Sequence, residues 1–150
     1  MRRDFTVNAM AYDPIFDVLI DEYSGQEDLN TKIIRTVGNP EERFDEDALR
    51  IMRAVRFSAQ LGFMAEEKTL AAIGDFAPRL ETISAERIRD EFIKIIDAAH
   101  AMDGIVMLHN LGLLKYIVPE LEEGIGCDQG GAHSFDVWTH LIKSLEHGTN

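Results

Sequence analysis

The sequence changes character at Gly38, and that change most limits what the chain can fold into. Before it, short β-favouring stretches alternate with turn residues. Phe5–Asp13 and Asp17–Ile20 flank Asp13-Pro14, and Ile33–Val37 is a further strand candidate. After it, the apolar period is helical and stays so. Asn39-Pro40-Glu41-Glu42 reads as a helix start, with a capping Asn, Pro in the first turn and acids at the positive end of the dipole. Asp45 is the expected cap of the next helix, which runs to about Leu61 and stops at Gly62. Further helices are expected at Glu66–Phe76, Ala85–Ala98 (capped by Ser84), Met102–Asn110 (ended by Gly112) and Phe135–His147. Gly124–Ala132, with four glycines, reads as a linker. The expected fold class is mainly α, a helical body with a short β-containing remnant at its start. A strand pair of that size is marginal alone, which points to a domain not contained in these residues.

Charge narrows the function. The formal net charge of −12 argues against a general nucleic-acid coat, because phosphate binding needs local cations to displace counterions. The single cysteine, Cys127, provides neither a disulfide framework nor a thiolate metal cage. No apolar run reaches the roughly 18 residues needed to span a bilayer, and the N-terminus has no secretory apolar core. A cytoplasmic protein without a membrane partner is expected.

Against that acidity, EDALRIMRAVRF (Glu46–Phe57) gathers three arginines at a spacing of three. At 100° per residue, Asp47, Arg50 and Ala54 share one helix face, while Ile51, Met52, Val55 and Ala59 share another that suits a core. Arg53 flanks the polar face and Arg56 points further round. One reading is a solvated face with Asp–Arg pairs worth a few tenths of a kcal/mol. The other is recognition of a base. A carboxylate only accepts hydrogen bonds and a guanidinium only donates them. Asp47 can accept from the exocyclic amine of cytosine or adenine while Arg50 donates to the unprotonated ring nitrogen beside it. Guanine and uracil offer a carbonyl and a protonated nitrogen there, so both contacts are mismatched, with unpaired polar groups as the penalty.

EDALR followed by RAVRF (Arg53–Phe57) resembles the base-selecting motif in the neck of bacterial tRNA nucleotidyltransferases, the class II CCA-adding enzymes and their poly(A) polymerase relatives. RRDFTVNAMAYDP (Arg2–Pro14) is similar to the motif that closes their catalytic head. DEYSGQEDL (Asp21–Leu29) resembles the hinge between head and neck, and IIRTVGNPEERFDEDALR (Ile33–Arg50) the approach to the neck. NLGLLKYIVPEL (Asn110–Leu121) and GCDQGGAHSFDVWTHLIKSL (Gly126–Leu145) resemble the stretch leading into an HD domain.

The resemblance implies three parts. Residues 1–38 would be a remnant of the head and its hinge, 39–123 a nucleobase- and RNA-binding neck and body, and 124–150 a linker with the first helix of a truncated HD-like domain. It implies that Asp47 and Arg50 read the incoming base and that Asp4 and Asn8, with Arg2 and Arg3 nearby, meet the sugar and phosphates. Arg53 and Arg56 would face the triphosphate or pack the helix, Arg53 being better placed for the former. The substrates implied are CTP, ATP and a tRNA 3′ end, with Mg²⁺ as cofactor and CCA addition as the activity. The family's hinge carries paired glycines where this chain has Ser24-Gly25, so Gly25 is expected to supply the positive φ.

The metal-binding carboxylates of the family precede RRDFT and are not in this sequence, so the chain alone is expected to be inactive. No metal site is expected within it. His140 matches a first HD ligand, and Asp136 lies four residues before it, with His133 earlier. The His-Asp dipeptide that an HD hydrolase needs does not occur in the sequence. Poly(A) polymerase, A-only or CC-only addition remain open within the family, and a non-catalytic helical RNA- or protein-binding module remains open outside it.

Overall fold

The computed structural model describes residues 3–126 and 137–148. Seven α-helices, four short 3-10 helices and four very short strands lie in these residues, so the mainly α expectation holds. The strands are β1 (Ala11–Asp13), β2 (Val18–Ile20), β3 (Ile33–Ile34) and β4 (Met64–Ala65). The helices are α1 (Gly25–Thr31), α2 (Pro40–Glu46), α3 (Leu49–Leu61), α4 (Glu67–Phe76), α5 (Ala85–Ile96), α6 (Ala101–Asn110) and α7 (Val137–Gly148). None is long and apolar enough to cross a membrane.

The centre of the fold is α3, which packs on α5 and α6, while α2 lies on α4 and α7 on α6. Ile51, Met52 and Val55 are fully buried and Ala59 nearly so, the apolar stripe that the helical period marks, and Ala54, expected on the polar face, is fully buried with them. Each such large aliphatic side chain contributes about 1.5–3 kcal/mol through removal from water. The ends of the helix pair follow local chemistry. Asn39 Oδ1 accepts from the Glu41 amide at 3.0 Å ahead of Pro40, and Gly62, at φ 66, closes α3. Ser84 occupies the cap position of α5, but its hydroxyl makes no capping bond.

The break between α2 and α3 falls two residues later than the sequence indicates. Asp45 lies inside α2, and its carboxylate meets Arg79 Nη1 at 2.5 Å. Asp47 ends α2 in an extended conformation, φ −154° and ψ 103°, and its Oδ1 accepts from the Leu49 amide at 3.1 Å. A short carboxylate that bonds a nearby backbone amide competes with the helical ladder, so the chain turns here instead of continuing. Asp47 and Arg50 therefore do not share one helix face, contrary to what their spacing leads one to expect. They sit on either side of a corner.

The N-terminal residues are bolted to the helical core. Phe5 is fully buried and meets Phe57 of α3 edge to face, with ring centroids 5.6 Å apart. The Thr6 amide donates to the Arg35 carbonyl at 3.0 Å, and the Val37 amide donates to the Asp4 carbonyl at 2.9 Å. The strand expected from Phe5 is interrupted by a tight turn at Thr6–Asn8, and only Ala11–Asp13 pairs with Val18–Ile20, antiparallel. Asp13 Oδ1 accepts from the Ile15 amide at 2.9 Å and so fixes the hairpin turn at Pro14. The strand expected at Ile33–Val37 shortens to β3, which runs parallel to β4.

At Ser24-Gly25 the expected roles are exchanged. Ser24 adopts the left-handed conformation at φ 58, and Gly25 opens α1. Asp21 replaces the Ser24 side chain as the cap, accepting from the Gly25 and Gln26 amides at 2.7 and 2.9 Å; those backbone bonds, led by Gln26, hold its carboxyl below the usual range. Glycine is required at position 25 for space: a Cβ there would lie 2.4 Å from the Thr6 carbonyl oxygen. Gly25→Ala is expected to destabilise the chain by about 2 kcal/mol, as overpacking against backbone does. Urea unfolding checks this, and a variant as stable as the parent would show that the Thr6 turn gives way freely.

Candidate functional site

The corner between α2 and α3 carries a sequence of charges that the fold sorts into separate pairs. Arg50 extends from the first turn of α3 and donates through Nη1 to Glu46 Oε2 at 2.6 Å and to the Arg43 carbonyl at 2.9 Å. Its Nε and Nη2 have no partner among the described residues. Arg43 meets the other oxygen of Glu46 at 2.8 Å. The bond from Arg50 holds the Glu46 carboxyl below the usual carboxylate range, with Arg43 adding to the effect. Asp47, across the corner, accepts from the Leu49 amide on Oδ1 and from Arg87 Nη2 on Oδ2 at 3.0 Å. Each carboxylate oxygen has room for a second donor. The corner thus presents an anchored acceptor and an anchored donor, and each keeps free hydrogen-bonding capacity.

One turn further along α3, Arg53 grips Asp4. Its Nε and Nη2 lie 2.6 and 2.5 Å from Asp4 Oδ2, and Asp4 Oδ1 accepts from the Phe5 amide at 3.0 Å. Asp4 is buried and Arg53 half-buried, so this pair fastens the N-terminal segment to the helix that carries Arg50. Arg56 points the other way, into the core. It is 8% exposed and paired with the buried Glu91 of α5, with Nη1 2.8 and 3.0 Å from the two carboxylate oxygens. Lys94 meets the same carboxylate at 3.0 Å. Burial pushes the Arg56 guanidinium below its usual pKa, partly offset by Glu91. Its Cζ lies 4.3 Å from the centre of the Phe57 ring. Arg56 is thus committed to packing, while Arg53 holds Asp4.

Arg3, which precedes Asp4, is exposed, and Asn8, four residues after it, is half-buried. Arg2, Cys127, His133 and Asp136 lie outside the described residues, as does most of the Gly124–Ala132 stretch. His140 is exposed on α7. Among the described residues, no three His, Cys, Asp or Glu side chains gather where they could hold a metal ion. The acidic run Asp45-Glu46-Asp47 is tied to Arg79, Arg50 and Arg87 instead. Arg87 and Glu91 carry no local signal: they are ordinary charges on an amphipathic helix, 40 and 35 residues from their partners.

Two family models match the chain. Residues 1–35 match the "Poly A polymerase head domain", and residues 62–125 match the "Probable RNA and SrmB-binding site of polymerase A". The CCA-adding enzyme of Enterococcus faecalis is 45% identical over 151 residues, covering 96% of this chain and 37% of that protein. The chain belongs to the CCA-adding enzyme and poly(A) polymerase family.

The fold agrees with members of that family. The Bacillus stearothermophilus CCA-adding enzyme, solved in complex with CTP, superposes with a TM-score of 0.78 at 42% identity, over 83% of this chain and 32% of that one. The Thermotoga maritima CCA-adding enzyme, complexed with tRNA, gives a TM-score of 0.73 at 31% identity, over 83% and 32%. The chain therefore spans about a third of the length of these relatives. The corner at Asp47 and Arg50 lies between the two matched segments, in the stretch that joins a family head to a family RNA-binding region.

Proposed function

We propose that this chain is the nucleotide-selecting part of a cytoplasmic tRNA nucleotidyltransferase that adds CMP and AMP to a tRNA 3′ end. The observation that carries the reading is the corner itself. An acceptor, Asp47, takes one donor on each carboxylate oxygen and keeps a lone pair on each, and a donor, Arg50, is anchored through Nη1 alone. That pair matches the amine and bare ring nitrogen shared by cytosine and adenine and mismatches guanine and uracil. Asp4, held by Arg53, with Arg2 and Arg3 before it and Asn8 four residues on, would meet the sugar and phosphates. Residues 1–38 would end the head, 39–123 form the neck and body, and 124–150 begin the next domain.

Mg²⁺ chemistry activates the attacking 3′-hydroxyl and steadies the departing pyrophosphate in transfers of this kind. The described residues do not fit that task, because their clustered carboxylates are paired with arginines. These residues select and orient the nucleotide, and the metal ligands would be supplied elsewhere in the enzyme.

Primer extension on a tRNA lacking its 3′ CCA tests both parts. The full-length enzyme is expected to incorporate CMP and AMP but not UMP or GMP, and this chain alone to incorporate none. Incorporation by the chain alone would place the transfer chemistry within it and overturn that division of labour. Extension with AMP only, by the full-length enzyme, would identify an A-adding relative.

A further inference from the structure

The acidic corner is held by residues that come after it in the chain and that belong to no motif identified above. Arg79 Nη1 meets Asp45 Oδ1 at 2.5 Å, and its Nη2 donates to the Asp45 carbonyl at 3.2 Å. Arg87, near the start of α5, reaches back 40 residues to Asp47 Oδ2 at 3.0 Å. The two contacts do different things. Arg79 fastens the last turn of α2, whereas Arg87 touches the carboxylate assigned to the base.

An aspartate at a helix break has two side-chain torsions to fix. The Leu49 amide fixes one oxygen of Asp47, but a carboxylate held at one oxygen still swings about that contact. The second contact, from Arg87, sets the plane of the group. We propose that Arg87 is a positioning residue for base selection: it aims the free lone pairs of Asp47 at the exocyclic amine of the incoming base. This inference rests on Asp47 reading the base.

The guanidinium uses a single nitrogen here, and the Arg87 side chain is half exposed, so its removal leaves no buried charge and no cavity. Its loss acts on alignment alone. The position of an acceptor within a hydrogen bond's narrow angular range decides how much of that bond forms. A misaimed carboxylate weakens the contact with cytosine and adenine and leaves uracil and guanine, which never made it, unaffected.

The test measures kcat/KM for CTP, ATP, UTP and GTP on a tRNA primer with the full-length enzyme and its R87A, R87K, R79A and D47A variants. R87A is expected to lower the preference for CTP and ATP over UTP and GTP on the order of tenfold, through a higher KM for the two correct nucleotides. R87K, which keeps a donor on a longer and less rigid stem, recovers part of the preference. R79A keeps wild-type preference, which separates aiming of Asp47 from general stiffening of the corner. Adding R87A to D47A causes no further loss, since there is no carboxylate left to aim. Wild-type preference in R87A, or an equal loss in R79A, overturns the inference while a loss in D47A leaves the base-reading role standing. Wild-type preference in D47A removes the base-reading role itself, and the role of Arg87 with it.

Discussion

Replacing Asp47 or Arg50 by alanine in the full-length enzyme is expected to lower the preference for CTP and ATP over UTP and GTP by about a hundredfold or more. The two variants fail for complementary reasons. In the proposed base-reading role, without Asp47 the amine of cytosine or adenine loses its acceptor, and without Arg50 the ring nitrogen loses its donor. Both losses fall on the correct bases, while the wrong bases shed a mismatch. Asp47→Ala also orphans the Leu49 amide at the start of α3, a cost of about 1 kcal/mol to stability. Asp47→Asn separates the two effects. Its amide oxygen can still cap Leu49, while its NH₂ gives up the Arg87 contact and offers a donor that suits the carbonyls of uracil and guanine, so preference should move toward UTP and GTP. Single-nucleotide incorporation kinetics read all three variants, with urea unfolding run alongside. Unchanged nucleotide preference in both alanine variants would sink the base-reading role.

The second large effect concerns stability. Glu91→Ala is expected to destabilise the fold by about 3 kcal/mol, because it strands the Arg56 guanidinium in the core. For a chain of this size that corresponds to a fall in Tm on the order of 10 °C. The pair is not a net source of stability of comparable size, since both charges are stripped of water. The Nε of Arg56 is buried without a hydrogen-bond partner, so that desolvation is incompletely compensated. The double variant Arg56→Met with Glu91→Leu should therefore recover most of the loss, and thermal unfolding of the three chains checks the sign. A single-variant loss below about 1 kcal/mol would mean that water reaches the pair, as at exposed ion pairs.

Both effects turn on partners that lie far away in sequence, and this marks how much could be read from the chain beforehand. The cap at Asn39-Pro40, the stop at Gly62, the buried stripe of α3 and the hairpin around Pro14 were all legible. Each depends on interactions within about four residues, or on a period that a helix imposes. An acceptor and a donor close together, of the chemical types that match one edge of a base, could also be seen in Asp47 and Arg50. Their geometry could not. Counting 100° per residue through Asp47 assumes an unbroken helix, and Asp47 ends one by bonding the Leu49 amide. At the hinge, residue preference assigned the left-handed turn to Gly25. The Thr6 carbonyl instead fills the space beside Gly25, and the strained conformation passes to Ser24.

The sequence by itself determined the class of fold, the caps and core face of its helices, and the donor and acceptor at the corner, since these follow from local rules and chemical identity. Only the tertiary structure decided that Arg53 grips Asp4, that Arg56 is spent on Glu91, and that Arg87 returns to Asp47. The three arginines of EDALRIMRAVRF are spaced alike along the chain. Their roles differ because α3 turns one toward the corner, one toward the N-terminal segment and one into the core, where the cost of leaving a charge unpaired selects its partner.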